Sequence, residues 1–99
     1  MIATLLMAMA LQSGPCVKAG EAGGAERAWY RNNEKIVFGR KKYAKFGLPR
    51  TGLLGVVEPI GMHDGVPVTA EKGVRARDII YLLADTADCS LQPYQVEPQ

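Results

Sequence analysis

Apolar residues along this chain come in short runs, and turn residues interrupt them at close intervals. Residues 29–31 (Trp, Tyr, Arg) predict a short strand. Asn32-Asn33 predicts a turn, because asparagine tolerates positive φ. Residues 35–38 carry Ile36, Val37 and Phe38, a β-branched and aromatic stretch suited to a strand. Gly39-Arg40 turns the chain, and residues 42–46 form the next strand, closed by Gly47. Pro49 then takes the chain out of the sheet, since it has no N–H for a ladder.

The strongest local signal is Asp64-Gly65, a pair that accepts the left-handed conformation of a tight hairpin turn. Residues 56–62 and 66–70 are the strands it joins. Pro59 and Pro67 push them toward a sheet edge or toward bulges. Residues 71–78 read as a charged loop. Residues 79–84 (Ile, Ile, Tyr, Leu, Leu, Ala) predict the central strand. Residues 89–94 return antiparallel as an edge strand, because they contain Pro93. The chain is therefore expected to be mainly β: a small antiparallel barrel or meander of five to six short strands. An SH3-like or OB-like barrel is the template by analogy from strand count alone, and such an analogy says nothing of function.

The amino-terminal part has a different texture. Residues 2–11 are apolar apart from Thr4. That is too short to span a bilayer, which takes ~20 residues. It suits the apolar region of a secretory signal, with Ala8-Met9-Ala10 as the small-x-small cleavage site, although no Lys or Arg precedes it. Residues 17–28 are small and polar, with Gly20, Gly23 and Gly24. The expected organisation is a signal or apolar segment over 1–10, a flexible linker over 11–28 and one β-rich domain over 29–96.

Composition narrows the picture. A chain of 99 residues holds one domain, and 47% hydrophobic against 22% charged residues excludes global disorder. The two cysteines, Cys16 and Cys89, are expected to pair in an exported chain. With one His and no CxxC, no metal site can be assembled from soft ligands. No cofactor fingerprint, phosphate loop or nucleophile motif is present. His63 beside Asp64 has no placed nucleophile and reads as a turn histidine, so no catalytic residue is named.

Charge is unevenly spread. Residues 27–50 hold eight basic groups against Glu34 alone, while residues 51–99 hold three against seven acids. Either the halves pair in the fold or the basic half meets an anion. The segment Gly-Arg-Lys-Lys-Tyr-Ala-Lys-Phe-Gly-Leu-Pro-Arg (39–50) is the focus. With period two, Ala44 and Phe46 are expected inside, with Lys42 at the strand entry, and Lys41, Tyr43 and Lys45 outside. Arg40, Lys41, Tyr43, Lys45 and Arg50 are then the anionic-ligand candidates. The expected function is a small exported, periplasmic or secreted, non-catalytic protein with a structural or interaction role. Its partner would be a protein or an anionic envelope component. The alternative is a cytosolic nucleic-acid-binding β-barrel using residues 39–50, Lys42 included.

Overall fold

The computed structural model describes residues 16–98. The expected signal segment at 1–10 and the first part of the linker lie outside them. Six antiparallel strands form one curled, half-barrel sheet in the order β1-β2-β6-β5-β4-β3. They are β1 (Ile36–Phe38), β2 (Lys41–Lys45), β3 (Val57–His63), β4 (Val66–Glu71), β5 (Ile79–Asp85) and β6 (Ser90–Val96). A 3-10 turn (Gly24–Glu26) and a single helical turn, α1 (Ala28–Arg31), precede them.

Strands β3 to β6 form a meander, and the β1–β2 hairpin is added to it through the β2–β6 ladder. The two two-residue hairpin turns have both central residues at positive φ: Gly39 and Arg40 between β1 and β2, and Asp64 and Gly65 between β3 and β4. That twist matches the right-handed twist of the flanking strands. The sheet curls until its two edges approach. A methyl group added at Gly61 on β3 would lie 2.9 Å from Phe38 Cζ on β1, so only glycine lets that ring span the gap.

The core has an inner and an outer part because β5 and β6 are buried on both sides. Ile80, Leu82, Gln92 and Tyr94 pair across the inner face, where Val68 joins Leu82 and Ile36 joins Tyr43. Tyr81, Leu83, Leu91 and Pro93 pair across the outer face. Each fully buried Leu or Ile contributes about 1.5–3 kcal/mol relative to exposure. This double burial explains why residues 79–84 read as a continuous apolar run rather than an alternating one.

Three expectations give way. Residues 29–31 are helical rather than extended: Trp29 and Tyr30 are a plug over the barrel interior. Trp29 packs edge-on to the His63 ring at 4.8 Å and donates Nε1–H to Asp64 Oδ2 at 2.8 Å. Part of the linker is packed. Ala22 N–H donates to the Gly65 carbonyl, and Gly23 and Gly24 are buried. A methyl group at Gly23 would fall 2.8 Å from the Ala84 carbonyl oxygen. These glycines serve close packing against β5 and Tyr30, not mobility.

The third correction concerns β6, which is central and not an edge strand, despite Pro93. Pro93 and Phe46 face each other where β2 ends, and Phe46 N–H donates to the Pro93 carbonyl at 3.1 Å. The return bond needs an N–H that proline lacks. Gln92 supplies a substitute. Its Nε2 lies 3.1 Å from the Phe46, Gly47 and Pro93 carbonyl oxygens, and its Oε1 accepts from Tyr30 O–H at 3.1 Å. Gln92 is only 1% exposed, so this network is what allows an amide to be buried in the barrel.

The cysteines are joined. Cys16 and Cys89 form a disulfide with 73 residues of sequence separation, tying the incoming chain to the β5–β6 turn. Asp85 Oδ1 accepts from Ala87 N–H and Asp88 Oδ1 from Ser90 N–H, which shapes that turn independently of the bridge.

Candidate functional site

The basic segment sits on β2 and its two flanks, and its faces are the reverse of those expected. Tyr43 is 1% exposed and points inward, where its hydroxyl donates to the Arg77 carbonyl at 2.6 Å. Burial, and then the nearby Asp78 carboxylate, push its pKa above the ordinary tyrosine value. Lys41 and Lys45 share that inner side by strand alternation. The reversal has a physical cause. A tyrosine fits inside because its hydroxyl finds a backbone acceptor. Lys45 fits because its ammonium reaches acceptors at the mouth of the barrel. Lys45 Nζ donates to the Tyr30 carbonyl at 2.6 Å and to Asn33 Oδ1 at 2.8 Å, and lies 3.6 Å from the centre of the Tyr30 ring. Desolvation lowers its pKa. Lys45 therefore fastens α1 to the sheet and is not available to a ligand.

The outer side of the same strands carries Lys42, Ala44 and Phe46. Val37 pairs with Lys42, Ala44 with Gln95, and Gln95 with Ile79, so these residues lie in adjoining cross-strand rows of one face. Val37 is 60% exposed, Phe46 40% and Ile79 37%. Arg40 stands in the β1–β2 turn above this face. Arg50 stands at the other end, where its backbone exchanges two hydrogen bonds of 2.8 Å with Leu91. Leu48, exposed, lies in the loop between.

The two ion pairs found among the described residues both join the basic half of the chain to the acidic half. Arg27 Nε lies 3.5 Å from Asp64 Oδ2, and Lys35 Nζ lies 2.6 Å from Glu97 Oε2. The halves thus pair in part, and Arg40, Lys42 and Arg50 take no share in it. Of the five ligand candidates from the sequence, the structure leaves Arg40 and Arg50 beside the open outer face and turns Lys41, Tyr43 and Lys45 away from it. Lys42 and Phe46 take their place. The signal that could have found them is the β1–β2 register: once Gly39-Arg40 is a two-residue turn, Val37 must oppose Lys42.

The chain matches no protein family, no curated protein and no solved structure.

Two other places hold chemistry-bearing residues. His63 and Asp64 do not face each other as base and orienter. The imidazole packs edge-on against Trp29; the Asp64 carboxylate accepts from Trp29 and pairs with Arg27, whose Nε–H donates to the Asp64 backbone carbonyl at 3.0 Å. A groove of about 480 Å³ runs between the disulfide-tethered segment (Cys16, Val17, Lys18) and the outer side of β3 and β4 (Val57, Met62, Thr69). Its walls are largely apolar, and Lys18 and Glu21 are the titratable residues that line it among the described ones. No helix among the described residues is long and apolar enough to cross a membrane.

Proposed function

We propose that this chain is a small exported, non-catalytic β-rich protein whose interaction role is to bind an anionic envelope component through the outer face of β1, β2 and β6. The observation that carries the reading is the set of Arg40, Lys42 and Arg50, without ion pairs among the described residues, around the exposed part of this face at Val37, Lys42, Phe46 and Gln95. Cations held at fixed positions on a rigid sheet raise the local concentration of an anionic partner and keep their hydration until it arrives. The disulfide supports the compartment, since such bridges persist in the periplasm or outside the cell. The cytosolic nucleic-acid alternative draws on Arg40, Lys41, Lys42, Tyr43, Lys45 and Arg50, and of these the Tyr43 ring and the Lys45 ammonium are engaged inside the barrel.

Affinity for an immobilised sulfated dextran, followed as salt is raised, tests the reading. Binding should weaken steeply with salt, because each neutralised phosphate- or sulfate-like charge releases a counterion. Arg40→Glu, Lys42→Glu and Arg50→Glu together should abolish it, with the fold checked by circular dichroism. A triple variant that binds as well as the parent sinks the proposal.

A further inference from the structure

We infer that the anionic component is a lipid bilayer surface, with Val37, Phe46 and Ile79 settling at the headgroup–acyl boundary and Arg40, Lys42 and Arg50 on the headgroups. This rests on the anion-binding reading above and names its ligand. A soluble polyanion needs cations and nothing else. This face also keeps three large apolar side chains in water, Val37 on β1, Phe46 at the end of β2 and Ile79 on β5, with Ala44 and Gln95 between them. At ~4.8 Å between strands and ~3.4 Å per residue along them, the patch is roughly 14 Å on each side. Exposed apolar groups ringed by unpaired cations are the two signals that together hold a peripheral protein on an anionic membrane, where either alone is weak.

The composition of the patch also separates lipid from nucleic acid. Single-stranded nucleic acid stacks its bases on aromatic rings. Here only Phe46 is aromatic, and Val37 and Ile79 offer no π face. Both fit an acyl boundary. The acids nearest the face are Glu97 and Asp78. Glu97 is held by Lys35 at 2.6 Å, and Asp78 directly precedes Ile79 at the patch margin. Glu97 stands opposite Lys42, to whose carbonyl its N–H donates at 2.8 Å, so the one carboxylate in the central rows beside Lys42, Ala44 and Gln95 is the one that Lys35 neutralises.

Partition of the full, disulfide-bonded chain onto vesicles tests the inference. The probes are vesicles of phosphatidylglycerol and phosphatidylcholine in equal parts, vesicles of phosphatidylcholine alone, soluble dextran sulfate and a thymidine oligonucleotide. The parent should partition onto the anionic vesicles at least about tenfold better than onto the neutral ones, since each cation near such a surface is worth roughly fivefold. Val37→Ser and Ile79→Ser change no charge and lie on exposed positions. Each should lower vesicle partition about three- to fivefold and leave dextran sulfate binding unchanged. Vesicle partition that ignores both substitutions overturns the inference. So does binding to dextran sulfate without binding to vesicles, an outcome that leaves the anion-binding reading intact with a soluble ligand. Binding to neither overturns both. Preferential binding of the oligonucleotide, lost in Phe46→Ser alone, overturns the lipid assignment in favour of nucleic acid.

Discussion

Replacing Gln92 by Leu should test the account of how a proline survives in a central strand. The substitution keeps the volume close and removes the carboxamide. It leaves the Phe46 and Gly47 carbonyls without their side-chain donor and the Tyr30 hydroxyl without its acceptor, each a contact of 3.1 Å. The two carbonyls lie near the surface and can recruit water, so each loss sits at the low end of the usual range, about 1 kcal/mol. The total is roughly 3 kcal/mol, a large share of the stability of a domain this small. The reasoning is specific enough for a double-mutant cycle. Pro93→Val restores a backbone N–H opposite the Phe46 carbonyl. In that background Gln92→Leu should cost about 1 kcal/mol less, because one of the three orphaned groups regains a partner. Urea denaturation with the disulfide intact, fitted at constant slope, gives all four stabilities. Costs that add to within ~0.3 kcal/mol would refute the idea that Gln92 stands in for the missing donor.

Two further expectations follow from the same interior. Reduction of Cys16–Cys89, or the Cys16→Ser/Cys89→Ser double variant, should lower stability by about 4 kcal/mol in denaturant titrations, given the 73-residue separation. A loss below about 1 kcal/mol would mean that the unfolded chain is not the state the bridge restrains. Alkaline pH should also unfold the protein. The Tyr94 hydroxyl is buried without a hydrogen-bond partner among the described residues, and burial, with Tyr30 adding to it, pushes its pKa up to about 12 from 10.0. A raised folded-state pKa favours the protonated phenol in the native state. Its stabilisation is complete below pH 10 and is lost as pH rises from about 10 to 12, by roughly 3 kcal/mol. Tyr30 and Tyr43 are shifted in the same direction. Tyrosinate absorbance titrated alongside circular dichroism checks this, and phenolate formation near pH 10 in a fully folded protein would contradict it.

Much of the fold was legible because the informative residues act locally. Asp64-Gly65 fixes its hairpin through backbone conformation alone, and the structure has that turn. Residues 79–84 announce a doubly buried strand by their uninterrupted apolar character. What escaped depends on partners far away in sequence. The side of β2 that faces inward is set by an acceptor at Arg77 for Tyr43 and by the Tyr30 carbonyl and ring for Lys45. Tyr43 and Phe46 are both aromatic and sit on opposite faces, so period-two reasoning has no local way to choose between them. Pro93 argues for an edge position until Gln92 is seen to replace its N–H. Trp29 and Tyr30 have strand propensity, yet packing over the barrel mouth puts them in a helical turn. Period two placed the faces of β2 one residue out of phase: the side expected to be exposed, with Tyr43 on it, faces inward.

The central claim is that the outer face of β1, β2 and β6 is the binding surface. Amide chemical shifts recorded while dextran sulfate or small anionic bicelles are added test it most directly, residue by residue. The account predicts salt-sensitive changes at Val37, Arg40, Lys42, Phe46, Ile79 and Arg50, with Tyr43, Lys45, His63 and the groove beside Cys16 unmoved. Changes confined to that groove or to His63, or none at any concentration, would contradict it.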